Sequence, residues 1–472
     1  MKIKLCFKTV LSCVLLSLCL SMPAYTQAAS TPMTTEAFMK VLKPLDPFNR
    51  LDVQSVSGAP LTREKAAAIL VKLMGYEGIA KDYQTSSIFS DVKGYNGEIS
   101  IVKQLEIMNG VNENTFNPRG TVTKEQGETI AKRVEEKLKA PTQWKHAFYA
   151  LSSSSQMEMI PLYDAVSFGW AQVVYDEGTQ QFKLESNNNQ NDFKVPQGFE
   201  KPMDLAKVNQ VEQYLMIFFE DSGQEAQKLL RDEKQREALI ADMVSLCNQI
   251  SKDGQTRSFD GITIDFENFI SSDLKAPYVQ FLKELDRALE INNKKLNVAL
   301  QPTNHFKGYD YKVIGEVADR IILMAHDYAP KKLSPFEQEI GVIMTPMTPI
   351  NEIYKAFCAI THPITGVQDT NKIVLQISYG STQWQVQDGK VLNAKPYTPT
   401  YDKIYERLKI SDTQAIYDEQ YQNPYAVYEQ NDVKNIIWYE NNKSVQAKID
   451  LAKLFGIQGV SYWRLGTIPQ YE

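Results

Sequence analysis

From residue 142 onward the chain alternates short apolar runs with longer stretches whose apolar residues recur at helical spacing. The runs fall at 147–151, 165–172, 214–219, 261–267, 296–301, 320–326, 373–379 and 459–464. Amphipathic stretches at 225–252, 276–291 and 351–360 lie among them. Short, nearly continuous apolar runs predict strands buried on both faces, and the periodic stretches predict helices packed over them. Eight such strands separated by helices predict an α/β fold, a (β/α)8 barrel with its chemistry at the C-terminal strand ends. Residues 142–472 number 331, against about 250 for a plain barrel. Most of the excess lies between Gly380 and Gln458, where one helix would suffice. Aromatic, strand-like pieces at 426–428 and 436–439 predict a small inserted subdomain there, about 381–457, walling the cleft.

Ahead of residue 142 the pattern is mainly helical. Leu61-Thr62-Arg63-Glu64-Lys65 opens one amphipathic stretch and Val122-Thr123-Lys124-Glu125-Gln126 another, with an offset of 61 residues. Thr followed two residues later by Glu suits an N-cap with an acidic first turn. Residues 30–140 are therefore expected to form a separate region with an internal repeat. Residues 1–29 begin with Lys2, Lys4 and Lys8, continue through an apolar run at 10–20, and end in small residues. That order predicts a cleaved secretory signal, and the run is too short to span about 30 Å of hydrocarbon. A secreted or wall-associated protein with no membrane span after cleavage is expected.

Removal of the three lysines with the signal takes the formal charge from −6 to −9 and leaves Cys247 and Cys358 as the remaining cysteines. An acidic chain without clustered Lys and Arg argues against a nucleic-acid surface. Two cysteines in apolar helix-like patterns predict buried free thiols rather than a disulfide framework. With four histidines, no paired His/Cys spacing, no phosphate loop and no Gly-rich dinucleotide turn, neither metal nor cofactor is expected.

The sharpest chemistry lies at 259–267, Phe-Asp-Gly-Ile-Thr-Ile-Asp-Phe-Glu. Alternation along a strand puts Thr263, Asp265 and Glu267 on one face and Ile262, Ile264 and Phe266 on the other. The two carboxylates would have Cα atoms about 7 Å apart. Like charge and burial raise the pKa of one of them, as a general acid requires. A salt-bridged structural pair is the alternative.

Asp260 to Glu267 resembles the fourth-strand signature of glycoside hydrolase family 18, Asp-x-x-Asp-x-Asp-x-Glu. Met324-Ala325-His326-Asp327-Tyr328 is similar to its sixth-strand pattern, Ser167-Phe168-Gly169-Trp170 to its second strand, and Gly459 to Gly466 to its eighth. The resemblance implies retaining hydrolysis of β-1,4-linked N-acetylamino sugars, in peptidoglycan or chitin-type glycan, with the substrate's own acetamide as nucleophile. Glu267 would be the general acid and base, and Asp265 would orient the acetamide. Trp463 would floor the sugar, with Asp260, Thr263, Phe168, Met324, His326, Asp327, Tyr328 and Glu440 about the substrate. Thr263 stands where the family usually has a third Asp, and His326 where it has Tyr; Tyr328, two residues on, is expected to share that face. These departures keep open a second possibility, a non-hydrolytic glycan-binding wall protein on the same barrel. In the N-terminal region, Phe89-Ser90-Asp91-Val92 through Val122-Thr123-Lys124-Glu125 resembles one S-layer homology module, with a degenerate copy near 35–76. This implies binding to cell-wall polysaccharide through Arg63 and Lys124.

Overall fold

Strand β1 (Trp144–Tyr149) is followed by β2 (Ala165–Asp176), β3 (Glu212–Glu220), β4 (Gly261–Glu267), β5 (Lys295–Leu300), β6 (Arg320–Leu323), β7 (Ile373–Ser378) and β8 (Gly459–Trp463). Each pairs in parallel with the next, and β1 also pairs with β8, so the sheet closes into a (β/α)8 barrel. The computed structural model describes residues 31–470, apart from 55–57, 86, 189–191, 224 and 342–345; the expected signal at 1–29 lies outside the described residues. All eight apolar runs are strands, and β4 has the expected bounds. β6 stops three residues short of the expected end, and a little further on Asp327 takes a left-handed φ of 63° that no strand accommodates. β2 runs on to Asp176 and returns as a hairpin with Gln181–Glu185.

Alternation explains the packing. Trp144, Phe148, Ala165, Tyr214, Met216, Ala299, Ile322 and Val374 fill the lumen. The outward Ile262, Ile264 and Phe266 are fully buried under helix Lys275–Glu290, where Phe266 stacks on Phe281 at 5.3 Å. Gly261 is required at the start of β4, because a Cβ there would stand 2.3 Å from the carbonyl oxygen of Lys295.

Between β7 and helix Asn442–Leu454 lies a five-stranded antiparallel sheet with helix Tyr401–Leu408. It has its own apolar cores, one around Trp384, Val391 and Trp438 and another around Ile404, Ala426 and Ile437. A buried ion pair anchors it: Lys448 Nζ lies 2.9 Å from Glu440, and both side chains are 2% exposed. Glu440 also accepts from Thr348 Oγ1, Asn423 Nδ2 and Ser444 Oγ. The expectation that Glu440 faces the cleft is thereby corrected. A carboxylate so far from water is held by donors on every side, and here those donors belong to the fold.

In the N-terminal region three helices, Thr35–Leu42, Arg63–Met74 and Lys124–Lys139, each start at a threonine that caps the first turn: Thr34, Thr62 and Thr123. The residues before the caps bond in a ring, Leu61 N to Met33 O at 2.8 Å, Val122 N to Leu61 O at 2.8 Å and Met33 N to Val122 O at 2.9 Å. The cap turn thus occurs three times rather than the expected twice. The first copy, Pro32-Met33-Thr34-Thr35-Glu36, lacks a basic residue and starts a helix of only eight residues. This region docks on the barrel and insertion. Fully buried Gln422 donates to Gly75 O at 2.7 Å and accepts from Arg50 at 3.0 Å, and Tyr83 packs edge-on against Tyr354.

Both remaining cysteines are free thiols, Cys247 buried and Cys358 half-buried. Among the described residues no helix is long and apolar enough to cross a membrane. Replacing Lys448 by Met strands the Glu440 carboxylate, so the unfolding free energy is expected to fall by roughly 3–5 kcal/mol. Denaturant titration measures this, and an unchanged midpoint would contradict the anchoring role of the pair.

Candidate active site

Because β4 has one apolar and one polar face, Thr263, Asp265 and Glu267 all enter the lumen at its C-terminal half. Asp265 is 2% exposed, and its Oδ1 has no hydrogen-bond partner. Burial, reinforced by the neighbouring Glu267, holds its pKa well above the usual carboxylate range, although His326 pulls the other way. Glu267, at the mouth, is pushed up to about 6 by burial, with Asp327 and Glu220 adding to the effect against His326 and Lys331. Gln301 Nε2 donates to Glu267 Oε2 at 3.2 Å. The Gln301 amide is oriented for this because its oxygen accepts from Asn268 N at 2.6 Å and Tyr309 Oη at 3.3 Å.

His326 stands at the end of β6 with Nδ1 2.9 Å from Asp327 Oδ2 and Nε2 on Gln376 Oε1. Burial alone would lower the imidazole, but Asp327 and Gln376 carry it up to about 9. Burial works to raise Asp327 as well, yet His326 and Lys331 keep it below the usual range. The site therefore carries an imidazolium and an ionised Asp327 beside a carboxyl pair disposed to keep a proton.

Below Asp265 a chain of buried hydrogen bonds crosses the lumen. Thr263 Oγ1 lies 2.7 Å from Ser167 Oγ, Ser167 lies 2.7 Å from His146 Nε2, and His146 Nδ1 lies 2.8 Å from Ser461 Oγ. Burial drives the His146 imidazole down to about 3, so it is neutral, one nitrogen donating and the other accepting. Thr263 thus bonds across to β2.

Trp463 sits half-buried at the end of β8, edge-on to Phe148 with ring centroids 5.1 Å apart. It lines a cavity of about 250 Å³ with Asp327, Ser378, Tyr379, Tyr401 and Arg464. Met324 packs in the lumen beneath. The structure thus brings Thr263, Asp265, Glu267, Met324, His326, Asp327 and Trp463 together. It separates three others. Asp260 lies at the opposite end of β4, where Oδ2 accepts from Gln213 N at 2.8 Å beside a larger cavity of about 850 Å³ at the barrel floor. Phe168 points outward between Tyr149, Trp170 and Phe259, since its neighbour Ser167 takes the lumen position. Tyr328 turns out of the lumen with its ring 5.7 Å from His305, because the left-handed Asp327 breaks the alternation.

Gln301, Gln376, His146, Ser167 and Ser461 were absent from the expected site. Their trace in the sequence is a polar residue inside an otherwise apolar run, as in Ile373-Val374-Leu375-Gln376-Ile377: in a strand buried on both faces it must find its partner in the lumen. In the N-terminal region Arg63 spends its donors internally, on Phe116 O at 2.8 Å and on Asn109 O, with its guanidinium over the Phe116 ring. Lys124 is exposed, 3.9 Å from Glu128.

A parallel barrel with two carboxyls on one strand, one of them raised to about 6, and Trp463 at the end of β8 places a candidate general acid where such barrels carry their chemistry. The chain belongs to glycosyl hydrolases family 18, whose family model matches residues 122–467. A second family model, the S-layer homology domain, matches residues 88–126. The cortical fragment-lytic enzyme of Bacillus subtilis (strain 168) is 26% identical over 252 residues, covering 51% of this chain and 53% of that protein. The chain spans about half the length of the curated relatives it matches. In fold it is similar to the Bacillus cereus spore cortex-lytic enzyme SleL, with a TM-score of 0.55, 18% identity and coverage of 79% of this chain and 81% of that one. It is also similar to a chitinase from Chromobacterium violaceum, with a TM-score of 0.54, 17% identity and coverage of 69% and 95%.

The folded-state pKa of Glu267, about 6, exceeds its unfolded value of 4.5. Its contribution to stability is therefore present below pH 4.5 and is lost as pH rises through about 6. Glu267→Gln removes that loss and is expected to gain roughly 2 kcal/mol over wild type between pH 4.5 and 8. Thermal unfolding at both pH values measures it, and a gain independent of pH would contradict the assignment.

Proposed function

We propose that this protein is a secreted, wall-associated hydrolase that cleaves β-1,4 linkages between N-acetylamino sugars with retention, the substrate's acetamide acting as the nucleophile. The observation that carries the reading is the Asp265/Glu267 pair on the lumen face of β4. Glu267 holds its proton up to a pH of about 6 and stands at the mouth, so it can protonate the leaving oxygen and then take a proton from water. Gln301 keeps one of its oxygens in place. Asp265, deeper and with Oδ1 uncommitted, is positioned to receive the acetamide N–H; the pair keeps one proton, and while it lies on Glu267 the ionised Asp265 balances the positive charge that develops on the ring formed. Both carboxyls rise from one strand, on one side of the sugar. A second carboxylate facing the anomeric carbon, as ordinary retaining enzymes have, is not what this pair supplies, and the acetamide oxygen takes that place. Trp463 offers an apolar surface to the sugar ring.

Peptidoglycan is favoured over chitin as the substrate by the S-layer homology match and by relatives named for lysis of cortical fragments. The wall contact itself would fall to exposed Lys124 rather than to internally bonded Arg63. The specific observation for non-hydrolytic binding is Thr263, which bonds to Ser167 instead of supplying a third acid.

Glu267→Gln is expected to lower turnover by about 10²–10⁴, the span of a general acid–base contribution. Wild-type turnover should fall as pH rises through about 6, where the acid loses its proton. Mass spectrometry of products from purified peptidoglycan and chitooligosaccharides checks both; equal product from the two proteins would sink the role of Glu267, and glycan binding with no product from wild type at any pH would favour the non-hydrolytic reading.

A further inference from the structure

Arg464 follows Trp463 at the mouth of β8 and lines the same cavity. Its backbone is pinned in a turn, with its N–H donating to Thr467 Oγ1 at 3.2 Å and its carbonyl accepting from Thr467 Oγ1 at 2.8 Å. Its side chain is half-buried and donates through Nη1 to Ser152 Oγ, in the short helix Leu151–Leu162 that follows β1. Asp192 is close enough for its charge to be felt, but among the described residues no carboxylate forms an ion pair with this guanidinium. Two other guanidiniums of the barrel are closed by carboxylates, Arg236 by both oxygens of Glu284 and Arg257 by both oxygens of Asp204. A guanidinium presents five donors in a planar fork that matches a carboxylate. Half-exposed at the cavity wall with one neutral side-chain partner, this fork can still take an anion from the cavity.

We propose that Arg464 binds a carboxylate carried by the substrate, on a sugar adjoining the one over Trp463. The substrate class is then a glycan whose N-acetylamino sugars bear a free acidic ether substituent, such as the lactyl groups of peptidoglycan strands from which the peptides have been removed, rather than neutral chitin-type chains. The inference rests on the hydrolase reading for its location and adds the selection between two glycans. Arg464 is a specificity residue: it touches neither the glycosidic oxygen nor the anomeric carbon.

The test uses glycan strands stripped of peptide, which carry free lactyl carboxylates, and the same strands with those carboxylates reduced to alcohols. For Arg464→Gln the loss in kcat/KM on carboxylated strands is expected to exceed the loss on reduced strands by 10- to 100-fold. Added salt should narrow the difference, and Arg464→Lys, a point charge without the fork, should recover part of it. Equal losses on both strands, matched by Ser152→Ala, would make Arg464 a tether between β8 and the helix that follows β1 and overturn the proposal. Calorimetric binding of both strands to Glu267→Gln, with and without Arg464→Gln, reads the contact without turnover. If wild type cleaves neither strand, the hydrolase reading fails; if the Arg464 change shifts affinity for both strands equally, this one fails.

Discussion

Two carboxyl groups two residues apart on one strand, enclosed in a closed barrel, cannot both ionise without great cost. Desolvation disfavours each charge, and each charge disfavours the other. The rest of the site is arranged around that constraint. His326 brings a positive charge that lowers both acids, and Asp327 in turn keeps His326 charged. Gln301 supplies a neutral donor to Glu267 that does not drain its proton as a lysine would. The Ser461–His146–Ser167–Thr263 chain gives the lumen below Asp265 a set of matched neutral partners. A neutral imidazole and three hydroxyls bring no further charge of their own into the same enclosed volume.

The outer parts of the molecule hold this lumen rather than enter it. The Glu440–Lys448 pair ties the inserted sheet to helix Asn442–Leu454, and neighbouring Gln422 reaches across to Gly75 in the N-terminal region. From the same network, Thr348 adjoins Met347, whose carbonyl accepts from Tyr328 N at 2.9 Å, beside Asp327. The barrel, its insertion and the N-terminal region therefore meet through buried polar contacts. Such contacts are costly when broken, and they fix orientation better than apolar contact does.

Much of this was legible in the sequence, and the gaps have physical causes. The eight strands were visible because a strand buried on both faces has to be apolar almost throughout. The same property hid which of its polar residues face the lumen, as with Gln376 and Ser167. The third cap turn escapes the repeat because Met33-Thr34-Thr35-Glu36 lacks the basic residue after the cap and opens a helix of only eight residues. Tyr328 was assigned to the site by period-two alternation, which holds within a strand; β6 ends at Leu323, and the left-handed Asp327 turns the chain away beyond it.

Local pattern along the chain was enough to specify the fold class, the span of β4 and the pairing of Asp265 with Glu267 on one face, because alternation and burial act between neighbours in the chain. Which side chains meet those acids, and which glutamate is structural, was set only on folding. Gln301, His326 and His146 come from different strands, and Glu440 finds Lys448, Asn423 and Thr348 through folding alone. Such pairings depend on barrel closure and on where each strand stops, quantities set by the whole packed chain rather than by any local run of residues.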